Sequence, residues 1–262
     1  MTQPKLITLL TDFGLQDVYV GSMKGVITAI NPEISIIDLT HQIPPQDLIA
    51  GRFALLNSYA YFPDGTIHLV VIDPGVGSYR RGVAIAFSGG FLVGADNGVF
   101  SGILSQRKAI AAVELNNSQY WRTQKPSNTF HGRDIFAPVV AHLASGVSLK
   151  ELGTEIPVSS LVQLPLPEVT TLSNQKIVGC VQYIDGFGNL ITNISSNNLQ
   201  PIQQVIIKKR SIRLGKTYSD GREKQLIALV GSHGYLEIAI NCGNAQQELQ
   251  VSVGEKVFVM FE

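Results

Sequence analysis

The hydrophobic positions of the first half fall into short β-branched runs that alternate with longer stretches of helical period. Leu6–Leu10, Ile34–Asp38 and Ile67–Ile72 read as strands, and Val18–Ile30 and Gln46–Tyr59 between them read as amphipathic helices. Strand, helix, strand, helix, strand predicts an α/β domain with a mainly parallel sheet, because a crossover helix is what lets successive strands run the same way. Further strands are expected at Val83–Phe87, Phe91–Gly94 and Ala111–Glu114. In Asp134–Ser145 the residues Ile135, Val139, Val140 and Leu143 recur at helical spacing and predict a packed helix.

The pattern breaks between Leu152 and Asn174, where prolines in Ile156-Pro-Val and Leu164-Pro-Leu-Pro forbid both a helix interior and a central strand. Beyond it the runs at 177–184, 190–194, 205–208, 226–230, 236–240 and 256–261 are short and separated by Gly, Asn and Ser. Many short strands with turn residues between them predict a small all-β, barrel-like domain. The expected division is therefore an α/β domain over 1–155, a linker over 156–174 and a β-barrel domain over 175–262.

Composition narrows the function classes. With 45% hydrophobic and 15% charged residues among 262, the chain holds enough apolar material for well-buried cores. Twenty Lys plus Arg balance twenty Asp plus Glu, so no net field favours a nucleic acid or an anionic membrane, and neither is expected as a partner. No run approaches the roughly 20 apolar residues needed to cross a bilayer. The N-terminus carries no leader-like segment, and Cys180 and Cys242 lie in apolar surroundings without a second metal ligand nearby. A cytoplasmic location with buried thiols is expected.

Five segments carry candidate chemistry. Thr11-Asp12-Phe13-Gly14 follows the first strand, where an open α/β sheet places its ligand crevice; Asp12 there either accepts two hydrogen bonds from a ribose diol or simply closes a turn. Asp73-Pro-Gly-Val-Gly-Ser-Tyr-Arg80-Arg81 is a strand end, a Gly-rich loop and two guanidinium groups, with Asp73 able to pair with Arg80 across the turn. Phe130-His131-Gly-Arg133-Asp134 enters the expected helix, with His131 placed as a base or as a structural ring, and Arg133-Asp134 as a helix-start charge pair. Asp96-Asn97-Gly98 is a turn or a polar strand-end contact. In the second half, Asp185-Gly-Phe187-Gly-Asn189 and Gly231-Ser232-His233-Gly-Tyr235 are hairpin loops whose Asp, Asn and Ser suit the zwitterionic end of an amino acid. His41, His68, His142 and His233 are weaker candidates, no metal-ligand spacing occurs, and neither a G-x-G-x-x-G nor a P-loop is present.

Taken together and in order, T-D-F-G, D-P-G-V-G-x-x-R, D-N-G, F-H-G-R-D, D-G-F-G-N and G-S-H-G-Y resemble the S-adenosylmethionine hydroxide adenosyltransferase family, relatives of the fluorinating and chlorinating enzymes. The resemblance implies hydrolysis of S-adenosyl-L-methionine to adenosine and methionine, by water or hydroxide attack at ribose C5′. It implies Asp73, Arg80 and His131 as the water-activating group and Asp12 as the ribose carboxylate. It also implies Asn97, Asp185, Phe187, Asn189 and Ser232 as further substrate-binding residues. No metal or other cofactor is implied. The implied assembly is a homotrimer with active sites at subunit interfaces. The rival readings are a halogenase of the same superfamily, with chloride or fluoride as nucleophile, and a binding protein that recognises S-adenosylmethionine or adenosine without turnover.

Overall fold

In the computed structural model, which describes residues 5–173, 175–199 and 202–261, the first β-branched run forms β1 (Leu6–Thr11). The N-terminal residues read above for a leader, and the last linker residue, Asn174, lie outside the described residues. After β1 the chain runs through α1 (Tyr19–Ile30), β2 (Ser35–Thr40), α2 (Leu48–Leu56) and β3 (Thr66–Val71). It continues through β4 (Gly82–Phe87), β5 (Gly90–Ala95), α3 (Ser101–Gln106), β6 (Ala109–Glu114), α4 (Ala137–Ala144) and β7 (Thr154–Ile156). Two units result, Met1–Pro165 and Leu166–Glu262.

The first unit is built on one seven-stranded sheet in the order β2-β1-β3-β5-β4-β6-β7. The pairs β1·β2, β1·β3 and β3·β5 are parallel, whereas β4·β5, β4·β6 and β6·β7 are antiparallel. The mainly parallel sheet expected from the alternation is thus a mixed one. The cause is local: β4 and β5 are joined by Ser88-Gly89 alone, and two residues can only turn a strand back against itself. Alternating residues divide the faces. Ile7 and Leu9 of β1 pack with Met23 and Ile27 of α1 and Val139, Val140 and Leu143 of α4, all buried. Full burial of each such side chain stabilises the fold by about 1.5–3 kcal/mol.

Two helix starts differ from the sequence expectation. Pro44 and Pro45 precede Gln46, which is left-handed at φ 65°, and the helix begins only at Leu48, with Asp47 Oδ1 accepting from Ala50 N at 2.9 Å. The expected 134–145 helix enters through a π-helical turn, Gly132–Phe136, before α4. Pro138, at the second position of α4, has no N–H to donate, and the wider π turn lies directly before it, with Ala137 N donating back to Gly132 O.

The second unit is β8 (Thr170–Ser173), β9 (Lys176–Ile184), β10 (Leu190–Ser195), β11 (Ile202–Ile207), β12 (Arg210–Ile212), β13 (Leu226–Val230), β14 (Tyr235–Ile240), α5 (Ala245–Leu249) and β15 (Lys256–Phe261). The order β12-β11-β15-β9-β10-β14-β13 is antiparallel throughout. A bridge from Leu214, just past β12, to Ala228 on β13 nearly closes the ring. Its inside is aliphatic, with Val181, Leu190, Val205, Ile207, Leu236, Ile238, Val257 and Val259 buried. Residues 156–174, the expected linker, carry the end of β7 and all of β8, which pairs with β9.

Within the first sheet, Thr8 and His68 are register partners on β1 and β3, and Thr8 Oγ1 lies 2.8 Å from His68 Nδ1. Burial pushes the His68 imidazole down to about 4. The unfolded chain takes this proton near pH 6.5 and the folded chain only near 4, so the His68 contribution to stability is complete above 6.5 and is lost as pH falls towards 4. Urea unfolding at pH 7.5 and 4.5 should show that His68→Gln removes a pH-dependent loss of up to about 3 kcal/mol. An identical pH dependence in the two proteins would refute this assignment.

Candidate active site

The strand order places β1 between β2 and β3, so the chain leaves β1 in one direction and returns on its other side. That reversal opens a crevice beyond the carboxyl ends of β1 and β3. Both strands end in a carboxylate, Asp12 after β1 and Asp73 after β3, and both line a cleft of about 360 Å³. Phe13, Tyr19, Pro45, Gln46, Val71, Phe130 and His131 complete most of its wall.

Asp73 is tied to Arg80 by a two-pronged ion pair. Arg80 Nε donates to Asp73 Oδ1 at 2.9 Å, and Arg80 Nη2 donates to Asp73 Oδ2. The same Nη2 lies 2.7 Å from His131 Nδ1. Arginine has donors only, so Nδ1 must be the acceptor, and a neutral His131 carries its proton on Nε2. Partial burial, and then the Arg80 charge, hold the His131 pKa below the ordinary imidazole value, against the opposing pull of Asp73 and Asp134. Both side chains of the ion pair are largely buried, Arg80 at 12% and Asp73 at 6% exposed, and the guanidinium also sits 5.4 Å from the Phe136 ring centre. Among the described residues Arg80 Nη1 makes no hydrogen bond.

Two loops must touch to build this group. In the Asp73–Arg80 loop, Gly77 has φ 77°, and a Cβ there would stand 2.3 Å from the carbonyl oxygen of Asn128 on the loop that leads to His131. That second loop is anchored by Asp134, 1% exposed, which accepts from Arg122 Nε at 2.5 Å, Arg133 Nε at 2.7 Å and Ser127 N at 2.9 Å. The Arg133 hydrogen bond comes first among the causes that hold the Asp134 carboxyl far below the usual range. The second arginine of the pair, Arg81, turns elsewhere: it grips Asp96 and donates to Ser160 O at 2.6 Å, while Asp96 Oδ1 accepts from Val162 N at 2.9 Å.

Asp12 faces the ion pair from the β1 side and accepts from Gln46 N at 2.7 Å. Phe13, Tyr19 and Phe130 meet with ring centres 5.2–5.7 Å apart and give the cleft an aromatic surface. Asn97 does not line the cleft. Its Nδ2 donates to Ile72 O at 2.8 Å and so fixes the backbone just before Asp73. Tyr19 and Gln46 were not singled out from the sequence: their contacts to the cleft are non-local, and only the Pro-Pro-Gln-Asp turn chemistry hinted at a special backbone.

The remaining candidates belong to the second unit. Asp185 heads the β9–β10 turn, with Oδ1 accepting from Phe187 N and Asn189 N, and Oδ2 from Asn189 Nδ2, each at 2.9 Å. Three of its roughly four acceptor positions are thus in use. Phe187 projects outward at 79% exposure. Ser232 is exposed in the β13–β14 turn, where buried Glu237 accepts from His233 Nε2 at 3.1 Å and from Tyr218 OH at 2.8 Å. Burial, then Glu237, pushes the Tyr218 phenol up to about 12, and the Asp185 charge acts in the same sense. Among the described residues no three His, Cys, Asp or Glu side chains converge as metal ligands would.

Residues 7–153 match the model for the SAM hydroxide adenosyltransferase N-terminal domain, and residues 179–258 match that for its C-terminal domain. The chain belongs to the SAM hydroxide adenosyltransferase family. Among family relatives, it is 38% identical to a protein of Salinispora tropica named (R)-S-adenosyl-L-methionine hydrolase, over 97% of each chain. It is 36% identical to one of the same name from Thermus thermophilus, over 96% of this chain and 98% of that one. A fluorinase from an Actinoplanes species is 26% identical over 97% of each. Among solved structures, a conserved uncharacterized protein from Thermotoga maritima superposes with a TM-score of 0.90 at 34% identity, covering 97% of this chain and 99% of that one.

The contact at Gly77 generates a prediction. Gly77→Ala adds a clash with a backbone carbonyl at a positive φ, so chemical denaturation should show a loss of about 1–3 kcal/mol. Turnover should fall with it, because Arg80 and His131 sit on the two loops that part. Full stability in the variant would contradict the packing described.

Proposed function

We infer that this protein splits S-adenosyl-L-methionine into adenosine and L-methionine, with water attacking ribose C5′. The observation that carries the reading is the Asp73–Arg80–His131 group, hydrogen-bonded as one unit at the wall of a cleft whose other wall presents Asp12. Family membership supports it, as do four relatives of 32–38% identity that bear the hydrolase name.

The charge balance suits this substrate. Asp12 and Asp73 bring two negative charges, Arg80 one positive charge and a neutral His131 none, which leaves a net negative cleft for a cationic sulfonium. The leaving group departs as a neutral thioether and needs no proton. The nucleophile is the difficult part, since water must lose a proton as it bonds to C5′. With Nδ1 engaged by Arg80, His131 meets the water as an Nε2–H donor, and Asp73 is the group with lone pairs to receive the proton. Arg80, through its free Nη1, stabilises the charge of the developing hydroxide. Asp12 takes the ribose diol, and Asn97 serves the site by holding the peptide before Asp73.

Asp185, Phe187, Asn189 and Ser232 take the methionine end in this reading, with the remaining Asp185 lone pair for its ammonium. A homotrimer whose active sites form between neighbouring subunits belongs to the same proposal. Exposed apolar side chains at Leu15, Val18, Tyr79 and Phe187 support it as surface for subunit contact. A cytoplasmic location is supported by Cys180 and Cys242 being free thiols, although they are half-buried and exposed respectively and not buried as expected. Among the described residues no helix is long and apolar enough to cross a membrane. The reaction as written uses no cofactor.

Incubation with S-adenosylmethionine in ¹⁸O-water, with and without chloride, followed by mass spectrometry, tests the reaction. Labelled adenosine plus methionine is expected; 5′-chloro-5′-deoxyadenosine, or tight binding without either product, would overturn it. Protonating His131 breaks its contact with Arg80 and sets two cations together, so activity should fall on the acid side, with a midpoint below the ordinary imidazole value of about 6.5. His131→Asn should remove that limb; an acid limb above 6.5 would contradict the assignment. Arg80→Lys, which loses the fork, should lower kcat by about 100-fold or more while KM stays within a few-fold.

A further inference from the structure

Behind the Asp12 wall lies a polar relay that the reaction above leaves without a role. His41, 3% exposed, follows β2, and its Nδ1 lies 2.9 Å from Thr11 Oγ1 at the end of β1. Its Nε2 approaches Asp38 Oδ1 at 3.1 Å, off the axis of a full hydrogen bond, and Lys24 Nζ holds Asp38 Oδ2 at 2.6 Å. The carboxylate facing Nε2 favours the imidazole proton there, which leaves Nδ1 to accept the Thr11 hydroxyl. With its own proton committed to His41, Thr11 Oγ1 offers a lone pair to Phe13 N at 3.3 Å and folds Thr11–Phe13 into a turn with Asp12 between them.

The loop that carries His41 meets that turn twice more. Gly14 N donates to His41 O at 2.7 Å, and Gln46 N donates to Asp12 Oδ2 at 2.7 Å. Asp12 is therefore held from its own side chain, from the residue before it and from the residues after it, and every tie leads to the His41–Gln46 loop. A buried imidazole with a charged partner on one side and a single hydroxyl on the other is a costly way to close a loop unless the rotamer of that hydroxyl matters.

We propose that His41 is a positioning residue for Asp12, fixing the Thr11 hydroxyl and through it the carboxylate that receives the ribose diol. This rests on the reading of Asp12 as the ribose-binding group. The readout is the preference for adenosine over 2′,3′-dideoxyadenosine, measured by calorimetry on the full-length protein carrying Thr11→Val, Thr11→Ser, His41→Ala or Asp12→Ala. A role in general stability alone would weaken both ligands together and leave the preference intact.

Thr11→Val and His41→Ala should each cut the preference about tenfold, the size of one lost hydrogen bond to a charged group, while Thr11→Ser should keep it within about twofold. Thr11→Val is nearly isosteric, so it carries the test if His41→Ala fails to fold. A Thr11→Val protein with undiminished preference, beside an Asp12→Ala protein that has lost it, overturns the positioning role. If Asp12→Ala keeps the preference, the ribose reading of Asp12 is what has failed, and the role of His41 falls with it.

Discussion

The site depends on one guanidinium that serves two neighbours at once. Arg80 spends Nε and one Nη2 hydrogen on Asp73 and points the other Nη2 hydrogen at His131. Placing a largely buried charge there is costly, and removal of either partner of such a pair typically costs about 3–5 kcal/mol. The fork geometry and the His131 acceptor offset that cost. The consequence for chemistry is that an arginine, which can only donate, decides which nitrogen of the histidine bears the proton.

The rest of the first unit brings the three groups to one place. A parallel trio with β1 in the middle sets two strand ends side by side, and the chain beyond β6, in the mixed part of the sheet, carries the loop and helix that return His131 to them. Gly77 lets the Asp73–Arg80 loop rest on the peptide of Asn128, and Asp134 braces that peptide's loop with two arginines. On the far wall, the His41–Gln46 loop does for Asp12 what Asp134 does for His131. The cleft is thus a set of strand-end carboxylates, each held by a neighbour from another loop, with an aromatic face of Phe13, Tyr19 and Phe130 between them.

Much of this was legible in the letters. The β-branched runs located β1, β2 and β3, and a carboxylate directly after a strand followed by a Gly-rich loop and arginine announced the Asp73–Arg80 pair. Strand direction was not legible, because a run such as Val83–Phe87 has the same pattern whichever way it points; only Ser88-Gly89-Gly90 hinted at a hairpin. Arg80 and Arg81 look alike in sequence, yet one turns to Asp73 and the other to Asp96, a choice set by tertiary contacts. Asn97 was open in the letters as a turn or a polar strand-end contact, and its amide holds the Ile72 peptide just past the end of β3. Sequence alone left His131 open as a base, because the tautomer follows from which ring nitrogen meets Arg80.

The central claim, that Arg80 holds His131 neutral with its proton on Nε2, is tested most directly by ¹⁵N NMR of the labelled histidine ring in the free protein across pH. The account predicts a protonated Nε2 and an unprotonated Nδ1 at neutral pH, with titration below the ordinary value of about 6.5. A proton on Nδ1, or titration above that value, would contradict it.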